Sequence, residues 1–251
     1  MARDLQGKNV VITGGASGIG LAIAKEFLHN GARLVILLDI NEDLGSKATQ
    51  NLNTKYGENK SVFIKCDVSM EVEKTTNSII STYKTIDVLV NNAGIVEETN
   101  PKKVVEVNVT AVIEWSLKFV EHMRTDRGGK GGTIINISSI YGYRVDQYLA
   151  VYKASKYAVM GFTKTKGHQY NFNKTGVRLL VLCPGATSTN LGGTHVKYLE
   201  AKENQDDFEL AISSMNSQEP EDVGKAAVVM FRKAESGTAW LIEGGNPISE
   251  V

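Results

Sequence analysis

Cysteine is nearly absent from this chain: of 251 residues only Cys66 and Cys183 are cysteine, each closing an apolar run and more than a hundred residues apart. No C-x-x-C pair or zinc spacing occurs, so both are expected as buried strand residues, and a disulfide scaffold is excluded. The four histidines, His29, His122, His168 and His195, form no pair with metal-ligand spacing. Each reads as a surface or capping residue, and no metal site is expected. No apolar run approaches the ~18 residues that a membrane span requires, and Met1 to Lys8 contains no apolar stretch. A reducing, cytoplasmic compartment is therefore expected, and the Asn-x-Ser/Thr matches at Asn108, Asn136 and Asn173 are read as chance sequons. An excess of either charge is also lacking, with 28 basic and 28 acidic residues. That balance points to neither nucleic acid nor an anionic membrane surface as a partner.

What is present suits a folded small-molecule enzyme: 42% hydrophobic residues, 22% charged and 24 glycines. Short β-branched runs alternate with longer amphipathic stretches. The runs are Val10 to Thr13, Leu34 to Asp39, Val62 to Cys66, Val88 to Val90, Thr133 to Ile137, Leu179 to Cys183 and Trp240 to Ile242. This alternation predicts a seven-stranded parallel sheet with helices on both faces. Nothing resembles a linker or a repeat, so residues 1–251 are assigned to one domain. The least regular part, residues 190–218, is rich in charge and amides and carries Gly192-Gly193 near its start. Irregular insertions at the edge of such a sheet commonly cover a ligand, so this one is expected to be a substrate lid.

The first strand runs into Thr13-Gly14-Gly15-Ala16-Ser17-Gly18-Ile19-Gly20 and then into an amphipathic helix, Leu21 to Asn30. Such a turn lets backbone N–H groups and the positive helix end approach a pyrophosphate. Asp39 ends the second strand nineteen residues after Gly20, where a carboxylate can accept hydrogen bonds from ribose hydroxyls and repel a 2′-phosphate. No Arg or Lys stands at Ala16, Ser17, Ile40 or Asn41 to offset that repulsion, so NAD is expected rather than NADP. Tyr152 and Lys156 lie four residues apart, on one face of a helix, and Ser139 lies thirteen residues before the tyrosine, directly after a strand-like stretch. An ammonium beside a phenol that titrates near ~10 favours the ionised form and makes it a usable proton acceptor.

With the glycine turn, the acidic strand end, Asn91-Asn92-Ala93-Gly94, Asn108, Ser139, Tyr152 and Lys156 in this order, the whole chain resembles the short-chain dehydrogenase/reductase family. The resemblance implies a single-domain α/β, Rossmann-type doubly wound sheet. It also implies a catalytic tetrad in which Ser139 bonds the substrate oxygen and Tyr152 exchanges its proton. Lys156 would hold the nicotinamide ribose and lower the tyrosine pKa, and Asn108 would position a water. It further implies cofactor contacts from Gly14, Ser17, Gly18, Ile19 and Gly20 in the turn, and from Asp39, Asp67 at the adenine and the Val68 backbone. Asn91, Ala93 and Gly94 would stabilise the sheet centre and approach the cofactor, and Pro184, Gly185 and Thr189 would grip the carboxamide.

Only thirteen residues separate Gly94 from Asn108, and Arg127-Gly128-Gly129-Lys130-Gly131-Gly132 precedes the fifth strand. Both features are similar to the branch holding 15-hydroxyprostaglandin dehydrogenase and the insect alcohol dehydrogenases, which use NAD. The prostaglandin enzymes carry Gln where this chain has Leu149, and with Tyr141, Tyr143 and Tyr148 nearby the resemblance points to an apolar alcohol. The expected reaction is NAD-dependent oxidation of an apolar secondary or long-chain alcohol. The alternatives are a carbonyl reductase, a hydroxysteroid or hydroxyprostaglandin dehydrogenase, or a catalytically silent NAD-sensing protein. The helix after Lys156 turns polar and meets a glycine at Lys164-Thr165-Lys166-Gly167-His168-Gln169. In the family this helix and the one from Val104 to Met123 commonly form a dimer interface, so a homodimer or homotetramer is expected.

Overall fold

The computed structural model describes residues 3–189, 191, 207, 208, 210, 211 and 213–251. One sheet runs in the order β3-β2-β1-β4-β5-β6-β7-β8. Its strands are β1 (Asn9–Thr13), β2 (Leu34–Asp39), β3 (Ser61–Lys65), β4 (Val88–Asn91), β5 (Gly132–Ile137), β6 (Val177–Pro184), β7 (Ala239–Ile242) and β8 (Ser249–Glu250). The first seven pair in parallel. The eighth adds antiparallel to β7, Trp240 opposite Glu250 and Leu241 opposite Ser249. The expected seven strands thus become eight. Two exposed polar residues carry no alternation or apolar run that would mark β8 in the sequence.

The helices are α1 (Gly18–His29), α2 (Glu42–Tyr56), α3 (Val72–Tyr83), α4 (Pro101–Val105), α5 (Val112–Met123), α6 (Ala150–Lys166), α7 (Gln169–Thr175) and α8 (Pro220–Lys233). A π turn, Glu106–Ala111, joins α4 to α5. Successive strand side chains point to opposite faces. Val10 and Ile12, Val35 and Leu37, and Ile135 and Ile137 therefore pack with Ile23 and Phe27 of α1 and Met230 and Phe231 of α8. The intervening Val11, Ile36, Leu89 and Ile134 pack with Ile79 of α3 and with Trp115 and Phe119 of α5. Both faces are covered, which is why the strands read as nearly continuous apolar runs.

Two topological details position the site. β1 lies between β2 and β4, so the connections leaving β1 and β4 diverge and open a crevice at their C-terminal ends. At the other end of α6, a Cβ on Gly167 would stand 2.8 Å from the Leu179 carbonyl and from the Gly237 nitrogen. The helix stops there, and α7 resumes at Gln169.

Candidate active site

The turn after β1 is stitched to the end of β4. The Thr13 hydroxyl accepts from the Asn92 and Ala93 N–H groups at 3.0 and 3.1 Å, and the Asn92 amide donates to the Thr13 and Gly14 carbonyls at 3.1 and 2.9 Å. This proximity demands glycine. A Cβ on Gly14 (φ 62°) would meet the Ala93 Cα at 2.9 Å, and one on Gly20 would meet the Gly14 carbonyl at 2.2 Å. Ser17, at the N-cap of α1, makes no side-chain cap bond, so its hydroxyl does not occupy the first N–H groups of the helix, the groups that an anion at a helix N-terminus would use. The Asp39 carboxylate accepts from Ala16 N–H at 3.1 Å and Asn41 N–H at 3.0 Å, which aims it at the turn.

These groups border a cavity of about 570 Å³. The turn contributes Gly14, Ser17, Gly18 and Ile19; the ends of β2 and β3 contribute Asp39, Asp67 and Val68; Ala93, Gly94 and Thr189 close the far side. Gly20 supports the turn from beneath. Asp67 is held below the usual carboxylate range, first by the Ser69 hydroxyl, with the Lys103 ammonium 4.0 Å away. A glycine cradle under a helix N-terminus, with carboxylates at the next two strand ends, fits a dinucleotide.

A second cavity of about 330 Å³ shares Ile19, Asn92, Gly94, Ser188, Thr189 and Leu191 with the first. Ser139, Tyr152, Lys156, Pro184 and Gly185 line it. Helix α6 places Lys156 one turn after Tyr152, its ammonium 5.5 Å from the centre of the phenol ring and donating to the Ile137 carbonyl at 3.0 Å. Burial lowers the Lys156 pKa to about 8, so the group is still a cation at neutral pH. The Ser139 hydroxyl accepts from Tyr141 N–H at 3.2 Å, leaving its own proton for another acceptor. Asn108, fully buried in the π turn, spends its amide on protein. It accepts from Ile95 N–H at 2.9 Å and donates to the Ile95 carbonyl at 2.8 Å and the Ser155 hydroxyl at 3.1 Å. Cys183 lies buried in β6, its thiol pushed up to about 12 by burial.

One wall of the second cavity is apolar, formed by Val96, Ile140, Tyr141, Leu149, Phe208 and Met215, while Asn92, Thr187, Ser188 and Ser217 add polar groups elsewhere on its lining. Tyr148 stacks edge-on behind Phe208, with centroids 5.3 Å apart. Tyr143 is not part of this wall: the short turn Ile140–Gly142 reverses the chain and sends it to pack beside Val181 and Cys183. Of the expected lid, Leu191, Phe208, Met215 and Ser217 line this cavity. Residues 190, 192–206, 209 and 212 of that segment, His195 among them, lie outside the described residues.

Comparison with known proteins agrees with this geometry. The family model described as short chain dehydrogenase matches residues 8–198. The chain belongs to the short chain dehydrogenase family. It is 35% identical over 206 residues to the rat protein named 15-hydroxyprostaglandin dehydrogenase [NAD(+)], covering 81% of this chain and 76% of that one. It is 31% identical over 250 residues to alcohol dehydrogenase 2 of Ceratitis cosyra, covering 96% and 93%. Among solved structures it resembles the 3-ketoacyl-(acyl-carrier-protein) reductase of Brucella melitensis complexed with NADH, with TM-score 0.77, 26% identity, and 96% and 99% of the two chains covered. It is thus an oxidoreductase-family chain of the hydroxyprostaglandin and insect alcohol dehydrogenase branch.

Within that family fold, some residues sit elsewhere than expected and others are new. Asn91, expected both to stabilise the sheet centre and to approach the cofactor, turns its side chain into the core and donates to Asn136 Oδ1 at 2.8 Å and the Ser116 hydroxyl at 3.0 Å. It belongs to the sheet centre, and its neighbour Asn92, one step along the strand alternation, faces both cavities. Thr13 was legible only as the end of a strand. Glu98, whose carboxylate receives the Val151 and Tyr152 N–H groups, has no local pattern to announce it.

Proposed function

We propose that the protein is an NAD-dependent dehydrogenase that oxidises an apolar secondary or long-chain alcohol to the carbonyl. The observation that carries this reading is the placement of Ser139, Tyr152 and Lys156 on a mainly apolar cavity that shares a wall with a dinucleotide-sized one. In this reading the first turn of α1 binds the pyrophosphate, Asp39 the adenosine ribose and Asp67 the adenine amino group. Pro184, Gly185 and Thr189 orient the carboxamide. Bound NAD supplies the acceptor for the hydride that leaves the carbinol carbon. Ser139 donates its hydroxyl proton to the alcohol oxygen, and Tyr152 takes the proton that this oxygen loses as the carbonyl forms. Lys156, a cation within reach of the ring, favours the phenolate and holds the nicotinamide ribose. Asn108 acts through Ile95 and Ser155, and any water it orders would be held by the surrounding backbone.

The choice of NAD is supported by Asp39, by the exposed Ile40 beside it and by the rat relative's name. Among the described residues lining that cavity the cation is Lys103, which is engaged by Ser69 and Asp67. A second reading, oxidation of a hydroxyprostaglandin, is favoured by that same name; the apolar Leu149, Phe208 and Met215 favour a less polar alcohol. No described helix is long and apolar enough to cross a membrane. We place the protein in the cytoplasm as a homodimer or homotetramer, for which the exposed Val105, Leu117 and Tyr157 of α4, α5 and α6 are available. Tyr152→Phe tests the mechanism. Turnover should fall at least ~100-fold, as expected for loss of a general base, with NAD affinity kept. A Phe variant that oxidises alcohol at the native rate would refute Tyr152 as the base and move the weight to an NAD-binding protein without this chemistry.

A further inference from the structure

We propose that Glu98 is a positioning residue for this reaction, its carboxylate fixing the backbone of Tyr152 to the segment that lines the cofactor cavity. The proposal rests on Tyr152 being the proton acceptor. A helix begins with N–H groups that lack intrahelical partners, usually met by a Ser, Thr, Asp or Asn at the N-cap. Helix α6 has Leu149 there, apolar, in the left-handed region at φ 54°, with no side-chain cap bond. The missing acceptor comes from 53 residues upstream: Glu98 Oε2 receives Val151 N–H at 2.8 Å, and Oε1 receives Tyr152 N–H at 2.9 Å. A carboxylate on two successive N–H groups at the positive helix end is a charge-assisted, two-point anchor. The adjacent Glu97 is engaged instead by Thr99, so in this acidic pair Glu98 is the residue that reaches α6.

The other end of the segment is pinned as well. Ile95 is held on both its N–H and its carbonyl by Asn108, whose amide also bonds Ser155 of α6. One residue earlier, Gly94 lies against the catalytic group, where a Cβ would stand 3.3 Å from Asn108 Oδ1 and 3.7 Å from the Lys156 ammonium. Residues 95–98 therefore stitch the cofactor cavity, the π turn and the first turn of α6 together. Tyr152 takes its position from that stitch through its own N–H.

The test compares wild type, Glu98→Gln and Glu98→Ala in kcat, alcohol KM, NAD Kd, Tm and amide exchange of α6. We expect Glu98→Ala to lower kcat about ten- to hundredfold, the range for a misplaced catalytic group, with NAD Kd and alcohol KM nearly unchanged. Glu98→Gln, which keeps one oxygen acceptor, should fall between. Exchange should quicken in the first turn of α6 while the sheet stays protected. A folded Glu98→Ala that keeps the native kcat would overturn the proposal. So would a loss that spreads across every amide. If wild type oxidises no alcohol, the functional reading fails separately, and unchanged protection at Val151 and Tyr152 in Glu98→Ala would still refute the anchor.

Discussion

Lys156 holds a charge in a place where solvent cannot stabilise it, and that leaves a signature in stability. Burial lowers its pKa from 10.5 to about 8 in the folded protein, while the unfolded chain keeps the ordinary value. Between those two pH values the unfolded state binds more protons, so this group makes stability rise with pH across the window. Below about pH 8 the desolvation cost is fully present; above about pH 10.5 it is gone. The range corresponds to roughly 3 kcal/mol. Lys156→Met lacks the slope. Urea denaturation should show wild type gaining on the Met variant from about pH 8 to about pH 10, and a constant gap would contradict the account. The same burial favours the placement of Tyr152 as base, because a cation in a poorly solvated site acts strongly on a phenol 5.5 Å away.

The loop entering α6 depends on a second buried cation. Lys153 pairs with the Asp146 carboxylate, donates to the Tyr148 carbonyl and sits 4.3 Å from the Tyr141 ring centre. It thereby ties the wall residue Tyr141, and Tyr148 behind the wall, to the helix that carries Tyr152. Lys153→Met strands the Asp146 charge. Because the Asp146 side chain keeps 29% of its exposure, the expected cost is about 2 kcal/mol rather than the larger figure for a fully buried pair. Asp146→Asn in the same chain should return most of it. Denaturant midpoints of the two single variants and the double check this, and additive losses would sink the coupling. At this scale the sequence was informative where one element decides its own form. Strands buried on both faces appear as apolar runs, and Gly167 marks the end of α6. It was silent where an element is shaped by a distant one. The π turn that carries Asn108, the anchor from Glu98 to α6 and the Lys153 pair join segments with no common period. β8 exists only because β7 offers an edge.

At the scale of the molecule, the sheet order brings the ends of β1, β4, β5 and β6 to one rim, where two cavities meet along a common wall. The residues proposed for catalysis and for the cofactor were legible as types in an order, because most of them sit at a strand end, in the turn after β1 or on one helix face. Their division between cavities was not, as the exchange of Asn91 for Asn92 shows: a one-residue step along a strand moves a side chain from crevice to core. In the proposed reading these cavities hold NAD and an apolar alcohol together. Its most direct test is NADH formation by purified protein with secondary and long-chain alcohols, run in parallel with NAD and NADP. Turnover with NAD is expected at a kcat/KM roughly 100-fold above NADP, since a 2′-phosphate would both lose the ribose hydrogen bonds and face the Asp39 charge. Preference for NADP, or NAD binding with no alcohol oxidised, would contradict it.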